Sequence, residues 1–359
     1  MTIISDLSQD LIEEILSRVQ LASQRVARST CKQWNGLYKD ESLTKNQRGK
    51  AAYDNMVVRV CDSRVCLVRV DLEGVHNNKD GLVEISTKLM DQQNRVKVHR
   101  EFMVCDGLLL CFRKNGNPLI WNPYLGQVRW IEPKRKLYIS DETYCMGYDN
   151  KNNPKDLAVT CDWTIQHYRE GLSLKGNNYF VAQRVKEVDQ MGEYLICFDF
   201  TSERFRHCLD LNSRNGDSVI LSSVRDEQLA LLFYSVDTYE IEIQITTKIE
   251  ANELTWINFL KVDLKPFTGM LRKFLWCGYG SFFVDEKKKV ALIWDEHYPK
   301  AYLIGEDNYF TVAALGNFIY YWAVVYSYVP SSVQIQKVQY MQEAKGKYTI
   351  VEDTYKYYI

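Results

Sequence analysis

The side chains that could do chemistry are present in this chain, but not at spacings that do it. A metal site needs several His, Cys or carboxylate groups at short intervals. The five histidines, His76, His99, His167, His207 and His297, are far apart. His207 and Cys208 are neighbours, and on a strand neighbours point to opposite faces. Cys61 and Cys66, or Cys105 and Cys111, lack the two-residue spacing of a zinc knuckle. No cysteine stands in a recognisable nucleophile turn. A Gly-x-Ser-x-Gly elbow, a phosphate-cradling Gly-x4-Gly-Lys-Ser/Thr loop and a Gly-x-Gly-x-x-Gly run are all missing. Gly278-Tyr279-Gly280-Ser281 reads as a turn before a strand, and the acidic pairs Glu13-Glu14 and Asp285-Glu286 read as solvated surface. The sequence therefore assigns no catalytic residue, no metal site and no cofactor.

Composition and charge bound the classes of partner. The 359 residues carry a formal net charge of −1. Neither nucleic acid nor an anionic membrane is indicated as a partner. Lys134-Arg135-Lys136 and Lys287-Lys288-Lys289 are short enough to be solvated turns. Asp6, Asp10, Glu13 and Glu14 interrupt the first apolar positions, so no secretory signal peptide is expected. No uninterrupted apolar stretch approaches the roughly 20 residues of a membrane helix. The ten cysteines are scattered, many in apolar runs such as Leu110-Cys111-Phe112 and Ile196-Cys197-Phe198. There a free thiol behaves as a small buried hydrophobe. A reducing compartment, cytoplasmic or nuclear or both, is the expectation.

The elements that position these residues fall into two textures. From Asp6 to Asp40 the chain has a helical rhythm. Leu7, Leu11, Ile12, Ile15, Leu16 and Val19 recur at intervals that lie on one face of a helix at about 3.6 residues per turn. A second short helix is expected over Ser23 to Ser29, and a third segment holds Cys31, Trp34 and Leu37. Three short helices over about 35 residues are below the size at which a domain supports its own core. Such a unit needs a partner surface, from the rest of the chain or from another protein.

Leu7, the run Asp10-Leu11-Ile12-Glu13-Glu14-Ile15-Leu16-Ser17-Arg18-Val19 and the later Cys31-Lys32-Gln33-Trp34-Asn35 resemble an F-box. Ser8 and Gln20 stand where that family has proline, and Gln24 where it usually has leucine. Ser8 can replace the proline by capping the helix. The resemblance implies a module, residues 1–45, that docks on a Skp-type adaptor and through it on a cullin-RING ubiquitin ligase. The docking residues it implies are Leu7, Leu11, Ile15, Leu16, Val19, Cys31 and Trp34.

After a polar connecting stretch, Glu41 to Ala52, the helical period vanishes. Short runs rich in Val, Ile, Tyr, Phe and Trp follow, separated by Gly, Asn, Asp and Pro. Expected strands include Met56–Val60, Arg64–Val70, Leu108–Phe112, Pro118–Trp121, Asp156–Cys161, Tyr194–Phe198, Gln228–Tyr234, Glu240–Thr246, Phe282–Asp285, Val290–Trp294, Asn317–Trp322 and Ser332–Val338. That pattern argues for an all-β sandwich, barrel or propeller. One motif recurs without gaps: Ile120 to Val128 aligns with Cys197 to Phe205. Both read as an apolar strand, an Asn or Asp, a tight turn and an apolar return. The Asn or Asp side chain can hydrogen-bond the backbone ahead of it and fix the turn. Weaker copies begin at Asp285 and Ser235. Hairpins recurring at tens of residues favour the blades of a propeller.

Cys105-Asp106-Gly107-Leu108-Leu109-Leu110-Cys111, the run Ile120 to Ile131 beginning Ile120-Trp121-Asn122-Pro123, Gly147-Tyr148-Asp149 and Phe198 to Phe205 resemble the type 1 F-box-associated domain of plant F-box proteins. The resemblance implies a kelch-like interaction domain over residues 46–359. Taken together, the expected architecture is a small all-α F-box followed by a large all-β, kelch-like propeller. The expected function is that of a non-catalytic substrate receptor that presents an unidentified target protein to the ligase. Two other readings stay open: an interaction scaffold with a weakened F-box, and a propeller that binds a small ligand or acts as an enzyme.

Overall fold

The computed structural model describes residues 7–17, 19, 21–38, 56–61, 64–72, 83–84, 86–92, 102–112, 118–131, 143–149, 151, 154–159, 163–165, 171–184, 193–213, 217–225, 227–250, 253–267, 280–294, 301–314, 325–331, 333–344 and 347–358. The expected strand at Asn317–Trp322 lies outside these residues, as do Gln20 and the side chain of Gln24.

Three helices open the chain: α1 (Gln9–Ser17), α2 (Leu21–Thr30) and α3 (Lys32–Leu37). Everything after them is strand and turn. The apolar runs form mainly antiparallel sheets of four or five strands, besides two two-stranded pairs, built largely from strands consecutive in sequence; Val83–Glu84 is an exception, joining Ala313 and Ala314 in parallel. The sheet of Phe102–Cys105, Leu108–Phe112, Pro118–Asn122 and Gln127–Trp130 is followed by one built on Asn177–Arg184, Glu193–Asp199 and Arg204–Asp210. Next comes Ser218–Val224 through Glu253–Asp263, and then Ser281–Asp285 through Tyr309–Ala314. The remaining sheet is closed by distant parts of the chain. Val325–Ser327 pairs antiparallel with Met56–Cys61, which pairs in turn with Arg64–Asp71.

The apolar cores show how these sheets are arranged. Ile220, Ile243 and Val262 pack against Phe282, Ile293 and Ile304. Phe283, Leu292 and Trp294 pack against Val57, Val70 and Leu72. Val58 and Tyr326 then pack against Leu109, Leu119 and Trp121. Met103 and Leu110 meet Phe180, Ile196 and Phe198, with Cys145 and Met146 of an intervening hairpin between them. Finally Tyr179, Leu195 and Cys197 meet Val219, Leu229 and Leu231. Each sheet packs face to face on the next, and the last returns to the first. This is the closed β-propeller expected from the hairpin repeat, preceded by the expected all-α unit. Closure hides the flat faces of the sheets and leaves their short edges exposed.

The repeated turns have a common physical basis. Asn122 Oδ1 accepts from Leu125 N at 2.9 Å. Asp199 Oδ1 accepts from Thr201 N and Ser202 N at 2.7 and 3.1 Å. Asp285 Oδ1 accepts from Lys287 N and Lys288 N, both at 3.1 Å. The fourth residue after each, Gly126, Glu203 and Lys289, has positive φ, as does Tyr239 four residues after Ser235. That left-handed residue turns the chain into the return strand. The Asp106-Gly107 turn uses another route, with φ of 46° and 73°, which suits a two-residue hairpin. A Cβ at Gly107 would run into the Val329 carbonyl oxygen.

Asn122 does more than fix its own turn. Its side-chain amide, fully buried, donates to Ser331 O at 3.0 Å and Val333 O at 2.8 Å. Gln127 Oε1 accepts from Ile335 N at 2.8 Å. The segment that follows the closing strand is thereby tied to the turn at Asn122–Gln127. Asn122→Ala should strand two buried carbonyls and free the turn, costing about 2–4 kcal/mol. Urea unfolding should show a clearly lower midpoint, and a loss within error of zero would remove this residue from its role in closure.

Candidate docking site

Helix α1 is short and carries an apolar stripe wider than one interface can use. Ser8 stands at its start and is exposed, with its carbonyl accepting from Ile12 N at 3.1 Å. Ile12 and Leu16, one turn apart, are only 2% and 1% exposed. They pack with Leu37, Tyr38 and Tyr124, and Leu7, Val19, Ala27, Trp34 and Leu125 lie against the same cluster. Tyr124 and Leu125 belong to the turn that Asn122 holds. The helical unit thus finds the partner surface its size demanded, in part, on the propeller.

The seat has polar fixings as well. The Tyr38 hydroxyl donates to Leu16 O at 3.2 Å, tying the end of α3 to the end of α1. The Arg28 guanidinium lies 5.5 Å from the centroid of the Tyr124 ring, within range of a cation–π attraction. Cys31 caps α3, its sulfur accepting from Trp34 N at 3.4 Å. Burial pushes the Tyr38 phenol up to about 12, and the nearby Arg28 charge opposes part of that rise.

The predicted docking residues therefore divide. Leu11 and Ile15 remain 53% and 42% exposed, about 100° round the helix from Ile12 and Leu16. Val26 on α2 is also open, at 70%. Cys31 is exposed but occupied in capping. Leu7, Val19 and Trp34 are half-buried against the seat, and Leu16 is wholly inside it. Periodicity alone marks an apolar face without saying which part faces inward. Ile12, Leu37 and Tyr38 as core, and Tyr124 as seat, were not singled out from sequence. The Trp-Asn-Pro-Tyr run was the one signal pointing to the last of them.

Elsewhere, no cluster of three or more His, Cys, Asp or Glu that could hold a metal occurs among the described residues. The described helices include none long and apolar enough to cross a membrane.

Comparison with known proteins assigns both parts. Residues 4–46 match the F-box domain, and residues 56–159 and 155–335 match the F-box associated beta propeller domain. The chain belongs to the F-box proteins with an F-box-associated β-propeller. The Arabidopsis thaliana F-box protein At3g49510 is 38% identical over 94% of this chain and 100% of its own length. The F-box/kelch-repeat protein At3g13680 of the same plant is 38% identical over 94% of this chain and 97% of its own. Among solved structures, the periplasmic gluconolactonase of Pseudomonas aeruginosa overlays with a TM-score of 0.35 at 9% identity, covering 77% of this chain and 99% of that one. That overlap is too loose to inform fold or function.

The seat carries a pH dependence of known sign. Tyr38 has a folded-state pKa above its ordinary value of 10.0, so its contribution is complete below pH 10 and is lost as pH rises towards about 12. Tyr38→Phe should cost about 1 kcal/mol at neutral pH through the lost bond to Leu16. Its stability should then fall less steeply than that of the wild type between pH 10 and pH 12. Parallel slopes in alkaline denaturation would show that Tyr38 is not buried as described.

Proposed function

We propose that this chain is the substrate-receptor subunit of a Skp/cullin/F-box ubiquitin ligase. The observation that carries the proposal is the exposed half of the α1 stripe. Leu11 and Ile15 stay open after the propeller has covered Ile12 and Leu16. Exposed apolar side chains on a rigid helix fit a docking surface for an adaptor. The F-box match over residues 4–46 supplies the kind of adaptor, a Skp-type protein. The docking face is then Leu11, Ile15 and the accessible parts of Leu7, Val19, Cys31 and Trp34. Leu16 acts from beneath by holding the helix on its seat.

The receptor does no chemistry in this reading. It raises the concentration of a bound target near a ubiquitin-loaded enzyme held by the same complex. That mechanism needs the distance between docking helix and target to be reproducible. The Tyr124–Leu125 seat supports this, because it packs α1 directly against the turn that Asn122 holds. The target is expected on the loops of the propeller, where such folds vary without disturbing their cores. Cys31, Cys105, Cys111, Cys145, Cys197 and Cys208 are free thiols, in keeping with a reducing cytoplasmic or nuclear setting.

Leu11→Asp combined with Ile15→Asp should weaken binding to a purified Skp-type adaptor by at least about tenfold. Its melting temperature should stay that of the wild type, since both positions are exposed. Leu16→Asp should instead unseat the module and lower its thermal stability. Wild-type adaptor affinity retained by the double variant would sink the assignment of this face. A wild-type dissociation constant weaker than about 100 μM would leave the chain an interaction scaffold outside the ligase.

A further inference from the structure

The sheet that contains Glu193–Asp199 and Arg204–Asp210 holds two thiols on one face. Cys197 is paired across the strands with Arg206. Further along, the register slips: Ile196 faces His207, but Leu195 faces Leu209. Cys208 is therefore the extra residue of a β-bulge. A regular strand would send Cys208 and Leu209 to opposite faces, whereas a bulge lets both lean the same way. Both lie against the cluster that contains Cys197, Leu195 and Tyr179, where this sheet meets Val219, Leu229 and Leu231 of the next. Cys197 is fully buried, and Cys208 is half-buried.

We propose that Cys197 and Cys208 form a hydroperoxide-sensitive thiol pair, in which Cys208 is the thiol attacked and Cys197 the thiol that resolves it to a disulfide. Cys208 stands two residues beyond Arg206, the cross-strand partner of Cys197, so the two thiols are diagonal neighbours on one face of adjacent strands, and Cys208 Sγ lies 3.9 Å from Arg206 O. Their environments differ in the required sense. The hydrogen bond from Cys197 lowers the pKa of Cys208, burial opposes it, and the Arg206 charge adds to the lowering. The same hydrogen bond, with burial behind it, raises that of Cys197. Exposure separates the roles as well: half-buried Cys208 is the thiol an oxidant can reach, and Cys197 lies fully buried behind it. Asp199 and the Tyr179 hydroxyl are the other ionisable groups near the pair.

The chemistry balances with hydrogen peroxide as the named oxidant. The Cys208 thiolate attacks one peroxide oxygen and the O–O bond breaks. This leaves a sulfenic acid on Cys208 and hydroxide, which takes up a proton as water. The Cys197 sulfur then attacks Cys208 Sγ. The S–S bond forms, the S–O bond breaks, and the departing oxygen leaves as water with the Cys197 proton. Two thiols are oxidised by two electrons and one peroxide is reduced to two waters. The product is a covalent staple between neighbouring strands, across a bulge beside an inter-sheet core.

The full-length protein, treated with hydrogen peroxide while folded and then alkylated in denaturant, provides the test. Non-reducing peptide mass spectrometry should find Cys197 linked to Cys208, lighter than the two free thiols by two hydrogens and restored by dithiothreitol. Cys197→Ser should trap the sulfenic acid on Cys208, where dimedone will label it. Cys208→Ser should leave Cys197 freely alkylated. The proposal is overturned if peroxide oxidises the exposed Cys31 while Cys197 and Cys208 both remain alkylated. A bond from either cysteine to any other residue overturns it equally. The wild-type map alone decides the matter if either serine variant fails to fold.

Discussion

The buried Asn122 amide is the interaction on which the two halves of this molecule converge. One oxygen holds the turn that follows a central strand, and one nitrogen serves the carbonyls of Ser331 and Val333, more than two hundred residues away. A buried primary amide with its partners in place is a specific geometric constraint, because an apolar residue of the same size would satisfy none of them. On one side it anchors the segment that runs on from the closing strand Val325–Ser327. On the other it shapes Tyr124 and Leu125, which form the floor under α1. Ring closure and seating of the helical unit thus share a single polar knot.

This arrangement explains why so small a helical unit can be both structured and available. Twenty-five residues of helix cannot bury enough surface to stand alone. The propeller turn supplies the missing core for Ile12, Leu16 and Tyr38. It covers only part of the α1 stripe, and the uncovered part is what a second protein can use. A wider seat would stabilise the module and remove its docking face; a narrower one would leave it to unfold when unbound.

The propeller itself depends on repetition more than on any one residue. Its hairpins place an Asn, Asp or Ser at the end of a strand and a left-handed residue four positions later, and different residue types fill the left-handed position at different turns. Glu203, Lys289 and Tyr239 adopt positive φ without being glycine. The Asp199 and Asp285 caps hold the first two turns, and backbone bonds to Ser235 and Leu264 hold Tyr239, against a modest backbone cost. That tolerance accounts for the degeneracy of the repeat in sequence. It also frees the loops between strands to differ from blade to blade.

Much of this could be read from the chain unaided. Leu108–Phe112 and Val290–Trp294 were delimited as strands with the ends they have in the structure, since apolar runs bounded by turn residues leave little choice of boundary. The gapless alignment of Ile120 to Val128 with Cys197 to Phe205 marked two equivalent hairpins, because an Asn or Asp capping its own turn is a local device. The stretch expected as Asp156–Cys161 begins earlier, at Pro154, where antiparallel pairing with Tyr148 sets the start, and residues 160 and 161 lie outside the described residues. Local pattern also placed a wide apolar stripe on α1. It could not say that Ile12 and Leu16 turn inward while Leu11 and Ile15 stay outside, nor that Asn122 reaches Ser331 and Val333, nor that a bulge turns Leu209 to the face that Cys197 and Cys208 share. Those facts depend on register and on contacts between residues far apart in the chain, which only the closed tertiary structure brings together.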